Sequence, residues 1–315
     1  MIVTIEETDR LEGSIQAPSS KSYTQRAIIT GTLGLGRTRI MSPLNCDDTD
    51  VTLRACRLLG ARISNGTGQL TIAGPVKQAP QVAIDCGESG STIRFLTPVA
   101  ALAKGRTVLT GGVGLLKRPI GALVDTLRQL GVACTSTDGY PPVTVEGGAI
   151  RGGRASLVGD VSSQFITGLL LACPLAEEET KITVTTPLES KPYIHLTLGI
   201  LKRHGIVVEA SRSLRRFVIP AKQRYTAVDH IVPGDYSSAA LLMAAAALTN
   251  SSITVTNLIP NHPDSDIVNL MRRMGAKVEV RGEEIHLGGG TLKGIEVDAR
   301  DIPDLIPVIA ALGCR

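Results

Sequence analysis

The chain has no tryptophan, and aromatic residues make up only 3% of its 315 positions. Stacking platforms for bases are therefore scarce, which argues against single-stranded nucleic-acid binding and leaves the core to aliphatic side chains. Charge imbalance is also small. With 33 basic and 29 acidic residues the net charge is +4, too little for a nucleic-acid or membrane surface, so any anion binding has to be local. The six cysteines, Cys46, Cys56, Cys86, Cys134, Cys173 and Cys314, form no C-x-x-C pair, and the five histidines are scattered. That pattern points to reduced core thiols and to no metal site. The longest apolar run, Ala239 to Leu248, is too short to span a bilayer, and the stretch Met1 to Glu7 is acidic and alternating, unlike a signal peptide. The expectation is a cytoplasmic protein.

What is present is repetition. Four times a helical pattern ends on glycine and an extended segment follows, at Gly60, Gly131, Gly205 and Gly275, spaced 71, 74 and 70 residues apart. Each reads as a helix C-cap leading into a strand. Ahead of each lies another apolar helix with a polar opening: Ser19-Ser20-Lys21, Ser89-Gly90-Ser91, Ser162-Ser163-Gln164, Ser237-Ser238-Ala239 and, a fifth time, Asp301-Ile302-Pro303-Asp304. Short β-rich runs lie between, and Asn65-Gly66-Thr67-Gly68 signals a hairpin. The unit is βαβαββ, an α/β architecture, with copies over 13–75, 80–147, 154–220 and 229–288 and a fifth starting near Gly294. Gly31 to Gly36 superficially suggests a dinucleotide loop, but it follows a helix instead of joining strand to helix.

The openings differ in chemistry. Lys21, Ser22 and Arg26 sit where a helix start offers unpaired N–H groups and a favourable dipole, and Ser22 and Arg26 share a face at i+4. Gly87 to Thr92 brings glycine backbone to a helix start as a second oxyanion cradle. Lys117-Arg118-Pro119 places two cations before a helix, and Ser190-Lys191-Pro192-Tyr193 offers hydroxyl, ammonium and phenol donors. The fourth opening, aligned on Ser238-Ala239, carries no such donor, which makes Lys21 and Gln164 extras beyond what folding needs. The fifth is acidic. N-capping fits Asp301 better than Asp304, and a carboxylate at a helix start facing the cationic openings has the chemistry of a general base.

Taken together, Ser20-Lys21-Ser22-x-x-x-Arg26, Gly87 to Arg94, Lys117 to Gly121, Val161 to Phe165, Ser190 to Tyr193 and Ile302-Pro303-Asp304 resemble the EPSP synthase (3-phosphoshikimate 1-carboxyvinyltransferase) family over the whole chain. The resemblance implies a two-lobed, inside-out α/β barrel of βαβαββ units, with a first lobe over 13–225 and a second over 1–12 plus 226–315. It implies transfer of the enolpyruvyl group of phosphoenolpyruvate to the 5-hydroxyl of shikimate 3-phosphate, without a cofactor. By the same resemblance Lys21, Ser22, Arg26, Ser162, Ser163, Gln164, Ser190 and Tyr193 would hold shikimate 3-phosphate together with Asp304. Lys21, Gly90, Arg118 and Gln164 would contact phosphoenolpyruvate, and Asp304 would take the proton of the attacking hydroxyl. A monomer is implied, with two small-molecule substrates and neither nucleic acid nor membrane as partner.

Two departures accompany the resemblance: Glu88 stands where many members have Asn, and Phe95 where they have Pro. Six units at about 70 residues each would need roughly 100 more residues than are present, so the second lobe is expected to be incomplete, ending after about one and a third units and lacking the family's later cationic motifs. The alternatives are the sister enzyme acting on a UDP-amino sugar, which would lack the Ser162 and Ser190 sets, and a non-catalytic remnant that still binds an anion.

Overall fold

The computed structural model describes residue 4 and residues 8–314; the alternating N-terminal pattern read over Met1 to Glu7 lies almost wholly outside the described residues. The chain divides into two compact units, a continuous one, Lys21–Val232, and a split one formed by the segments up to Ser20 and from Pro233 onward. Each has its own apolar core.

The continuous unit holds three sheets and six helices among the described residues. The first sheet runs β13 (His230–Ile231), β2 (Thr38–Met41), β4 (Gln69–Ala73), β3 (Arg62–Gly66). The second runs β5 (Ile84–Asp85), β6 (Gly105–Thr110), β8 (Tyr140–Gly147), β7 (Ala133–Thr137), and the third β9 (Gly153–Leu157), β10 (Thr180–Val184), β12 (Arg216–Ile219), β11 (Glu209–Ala210). All three share one pattern: a parallel pair, then two antiparallel neighbours. In the second and third sheets this is the βαβαββ order expected from the repeat, whereas in the first the parallel partner comes from the far end of the unit.

Three helices, α1 (Lys21–Leu33), α3 (Gly90–Ala100) and α5 (Ser163–Ala172), are buried nearly all round. Their sequences explain it. In α5, Phe165, Ile166, Leu169, Leu170 and Leu171 are fully buried, each stabilising by about 1.5–3 kcal/mol. Gly168 lets the α3 backbone approach so closely that a Cβ there would strike the Arg94 carbonyl oxygen. The outer helices α2 (Asp47–Leu58), α4 (Gly121–Gln129) and α6 (Lys191–Arg203) present only one buried face, as amphipathic helices do. The repeat glycines Gly60, Gly131, Gly205 and Gly275 all have left-handed φ, between 76° and 107°, the conformation a helix-ending glycine supplies without Cβ strain.

The split unit carries the sheet β1 (Glu12–Gln16), β14 (Ser252–Thr256), β16 (Glu284–Gly288), β15 (Lys277–Arg281), with α7 (Tyr236–Leu248), α8 (Ile267–Met274) and α9 (Ile306–Gly313). Here the structure corrects the sequence reading at three points. First, opening strands are exchanged between copies: β1 pairs in parallel with β14, from Glu12 opposite Ser252 to Gln16 opposite Thr256, while β13 pairs with Ile40 and Met41 of β2. The unit boundaries therefore fall at residues 20/21 and 232/233 instead of 12/13 and 225/226. A repeat period fixes the order of elements but not which copy a parallel first strand joins.

Second, α7 opens earlier than aligned. Its N-cap is Asp235, whose carboxylate accepts from the Ser238 N–H at 2.9 Å, so Tyr236, not Ala239, occupies the place of Lys21, Gly90 and Ser163. Third, no strand precedes the fifth helix among the described residues. A 3-10 turn at Pro303–Leu305 leads straight into α9.

Candidate active site

The polar openings of α1, α3, α5 and α6 come together in the continuous unit. Arg26, on the second turn of α1, is only 3% exposed. Its Nε donates to Thr197 Oγ1 at 2.8 Å, Nη1 to the Ser22 carbonyl at 2.9 Å, and Nη2 to Thr167 Oγ1 and the Tyr193 carbonyl at 3.3 and 3.4 Å. The guanidinium lies over the rings of Phe95 and Tyr193, at 5.0 and 6.0 Å. Every one of these partners is neutral, and among the described residues no carboxylate pairs with Arg26. Burial lowers its pKa to about 10, so it stays a cation at neutral pH. A buried charge without a counter-ion is costly and attracts an anion. Phe95, the departure noted in the sequence, forms the floor under this charge.

Lys21 stands at the mouth of α1, half exposed, its Nζ 3.1 Å from Asp48 Oδ2 at the start of α2. Ser22 is half-buried beside it. Gln25 lashes this turn to its neighbours, donating to Thr52, Ser89 and Thr92 hydroxyls at 3.1 to 3.3 Å.

A second cationic group surrounds the opening of α3. Ser89 caps the helix by accepting from Thr92 N–H at 3.3 Å, and Gly90 follows as its first residue. An ideal Cβ on Gly90 would lie 3.1 Å from Arg118 Nη1, 3.6 Å from Arg94 Nη1 and 3.7 Å from Gln164 Oε1. Arg94 Nη1 donates to Gln164 Oε1 at 2.7 Å and Ser162 Oγ at 3.4 Å, and Nη2 to the Pro119 carbonyl at 3.2 Å. Gln164 Nε2 donates to Ser91 Oγ at 3.0 Å, which fixes its amide, and Ser162 caps α5 by accepting from Gln164 N–H at 3.2 Å. Burial and the neighbouring Arg118 lower the Arg94 pKa to about 10. Two guanidiniums meet here with no carboxylate paired to either among the described residues, an arrangement that repels itself until an anion is seated.

Glu88 does not enter this group. Its Oε1 accepts from Gly114 N–H at 3.2 Å, and its carboxylate fills the space that side chains at Gly112 and Gly114 would need. It thereby staples the loop leading to Lys117 and Arg118. On the other side, Ser190 occupies the N-cap position of α6 without a side-chain cap bond, in the left-handed conformation at φ 54°, a cost a non-glycine residue carries when its surroundings enforce it. Lys191 and Tyr193 follow half-buried, with Tyr193 contributing its carbonyl to Arg26.

Of the residues singled out from sequence, Lys21, Ser22, Arg26, Gly90, Arg118, Ser162, Ser163, Gln164, Ser190 and Tyr193 all belong to the continuous unit. Asp304 belongs to the split unit, exposed on the 3-10 turn ahead of α9, while the half-buried Asp301 precedes the turn. The cap position there is Ile302, which gives no side-chain bond, so neither aspartate acts as the N-cap. Sequence reasoning missed Arg94, Thr167 and Thr197. Arg94 carried a readable signal, standing at i+4 from Gly90 as Arg26 stands from Ser22.

Residues 5–315 match the family described as EPSP synthase (3-phosphoshikimate 1-carboxyvinyltransferase). The chain is 43% identical to the 3-phosphoshikimate 1-carboxyvinyltransferase of Methanocaldococcus jannaschii, a match covering 99% of this chain and 74% of that protein. With the protein of the same name from Methanococcoides burtonii the identity is 44%, covering 96% and 72%. Among solved structures, EPSP synthase from Acinetobacter baumannii is similar with a TM-score of 0.80 and 29% identity, covering 96% of this chain and 70% of that one.

Proposed function

The chain belongs to the EPSP synthase (3-phosphoshikimate 1-carboxyvinyltransferase) family, transferases that move the enolpyruvyl group of phosphoenolpyruvate to shikimate 3-phosphate, and from that premise we propose how its residues divide the work. Lys21, Ser22, Arg26, Ser162, Ser163, Gln164, Ser190 and Tyr193 hold shikimate 3-phosphate. Lys21, Gly90, Arg118 and Gln164, with Arg94 added by the geometry, receive phosphoenolpyruvate. The observation that carries this reading is Arg26, a buried guanidinium whose hydrogen-bond partners are all neutral and which therefore calls for an anionic ligand.

The chemistry asks the protein for position and charge. The 5-hydroxyl of shikimate 3-phosphate attacks C2 of phosphoenolpyruvate, Asp304 takes the hydroxyl proton, and C3 gains a proton. The resulting tetrahedral adduct then gives up a proton from C3 as the C2–O bond to phosphate breaks, which leaves the vinyl ether and inorganic phosphate. Holding two anions in register converts a bimolecular encounter into a local one, and fixed cations stabilise charge as the phosphate leaves. In this reading the protein acts as a cytoplasmic monomer; sedimentation at working concentration tests the oligomeric state. Among the described residues no helix is long and apolar enough to cross a membrane.

Calorimetry and steady-state kinetics on two variants test the division. Arg26→Ala should weaken shikimate 3-phosphate by at least tenfold, about 1.4 kcal/mol or more, with less effect on phosphoenolpyruvate. Asp304→Asn should lower turnover by roughly 10²- to 10⁴-fold while keeping shikimate 3-phosphate affinity close to that of the unaltered protein. Unchanged affinity in the first variant, or a large affinity loss in the second, would overturn the respective role.

A further inference from the structure

Two histidines that the cradle does not use, His204 and His230, are fully buried in the continuous unit. His204, the C-cap of α6, has Nδ1 2.7 Å from the Thr226 carbonyl oxygen and Nε2 2.9 Å from Nε2 of His230. His230 lies on β13, with Nδ1 3.1 Å from the Tyr23 hydroxyl, and the Tyr23 oxygen accepts from Arg203 Nη1 at 2.7 Å. These contacts admit one proton order when both rings are neutral. A carbonyl only accepts, so His204 carries its proton on Nδ1 and its bare Nε2 accepts from His230. His230 is then bare at Nδ1 and accepts from the Tyr23 hydroxyl. One carbonyl sets the polarity of the whole row.

We propose that the row Arg203–Tyr23–His230–His204 is a positioning device for the anion cradle. It ties the first turn of α1, which carries Lys21 and Ser22 and leads to Arg26 on the second turn, to the last strand of the unit, and it holds while both histidines are neutral. Tyr23 stands two residues after Lys21 and His230 two before Val232, so the tie joins the two ends of the continuous unit. It rests on reading that turn as the shikimate 3-phosphate site.

The surroundings keep the row neutral. Arg203 faces it from α6 and also donates to the Asp229 carbonyl at 2.9 Å. The Asp229 carboxylate is taken up by Arg39 of β2, which bonds it through backbone and side chain. Tyr225 lies 5.9 Å from the His204 ring, its own hydroxyl donating to the Leu171 carbonyl at 2.7 Å. A proton added to His204 would put a hydrogen on its Nε2, force His230 to carry its proton on Nδ1, and break the bond that His230 Nδ1 accepts from the Tyr23 hydroxyl. Burial, with His204 and Arg203 adding to it, pushes the His230 pKa down to about 3, and burial lowers His204 as well, so the row keeps its order through the neutral range.

Tyr23→Phe removes one hydroxyl from the row, and Tyr225→Phe removes a buried hydroxyl beside it that does not touch α1. Titration at pH 7.5 should show shikimate 3-phosphate bound about five- to tenfold more weakly by Tyr23→Phe and unchanged by Tyr225→Phe. Equal affinity in all three proteins, or equal loss in both variants, overturns the proposal. Nitrogen spectra of labelled histidine in the unliganded protein should show, at pH 6, one buried ring protonated on Nδ1 alone and one on Nε2 alone; a charged ring at either position also overturns it. Hydrogen exchange of the amides from Gln25 to Ile28 should quicken only in Tyr23→Phe. Quickened exchange with no shikimate 3-phosphate binding by any of the three proteins places the failure in the substrate reading, the tie itself standing.

Discussion

In the proposed division of the site, Gly90 serves by having no side chain. A Cβ there would come within 3.1 Å of Arg118 Nη1, the far end of a flexible side chain, so the helix can accept alanine by displacing the guanidinium. Gly90→Ala should therefore fold normally and raise the KM for phosphoenolpyruvate by roughly tenfold, about 1.4 kcal/mol, with little change in shikimate 3-phosphate affinity. Comparing the two KM values checks it; equal effects on both ligands would remove Gly90 from the phosphoenolpyruvate side. At this scale the cradle was readable where donors sit next to a helix opening, as Lys21, Ser22 and Gln164 do. Thr167 and Thr197 were not readable. They serve Arg26 from two other helices, at separations of 141 and 171 residues, and a buried threonine has no sequence mark that distinguishes serving a cation from filling space.

At the scale of elements, the repeat was legible through its punctuation. Glycine ends a helix in the left-handed region because other residues meet Cβ strain there, and four such glycines at near-constant spacing expose the period. The four do not cost the same to replace. A Cβ on Gly205 would have room, 3.5 Å from Thr226 Oγ1, whereas on Gly275 it would strike the Thr291 carbonyl. Gly205→Ala should lose about 1 kcal/mol, the left-handed strain alone, and Gly275→Ala about 2 kcal/mol or more, read from urea midpoints. Similar losses in both would mean that the segment around Thr291 gives way. The exchange of β1 and β13 left no such punctuation. Both strands are short and both lead within a few residues into a helix, so local pattern permits either pairing, and only the hydrogen-bond register with β14 and β2 decides. The α7 opening was misread for a related reason: Ser237-Ser238 imitates a cap, but Asp235 stands three residues ahead of Ser238 and accepts the N–H bond.

For the whole molecule the buried histidines set a pH limit that differs from that of the carboxylates. His230 in the folded protein titrates at about 3, against an ordinary value near 6.5, and His204 is shifted the same way. A base whose pKa is lowered by folding binds protons more readily unfolded, so acid favours the unfolded chain. The stabilising difference is fully present above pH 6.5 and is lost as pH falls from there toward 3, at up to about 1.4 kcal/mol per unit for each histidine. Asp229, lowered by its bonds to Arg39, acts only below the ordinary carboxylate range and so leaves the window from 6.5 to 5 to the histidines. Urea unfolding should then show roughly 2 kcal/mol less stability at pH 5 than at pH 6.5 from His230 alone. His230→Gln, whose amide can still donate toward His204 and accept from Tyr23, should be less stable at pH 7 yet lose distinctly less between those two pH values. A slope as steep as in the unaltered protein would show that His230 takes up its proton in the folded state.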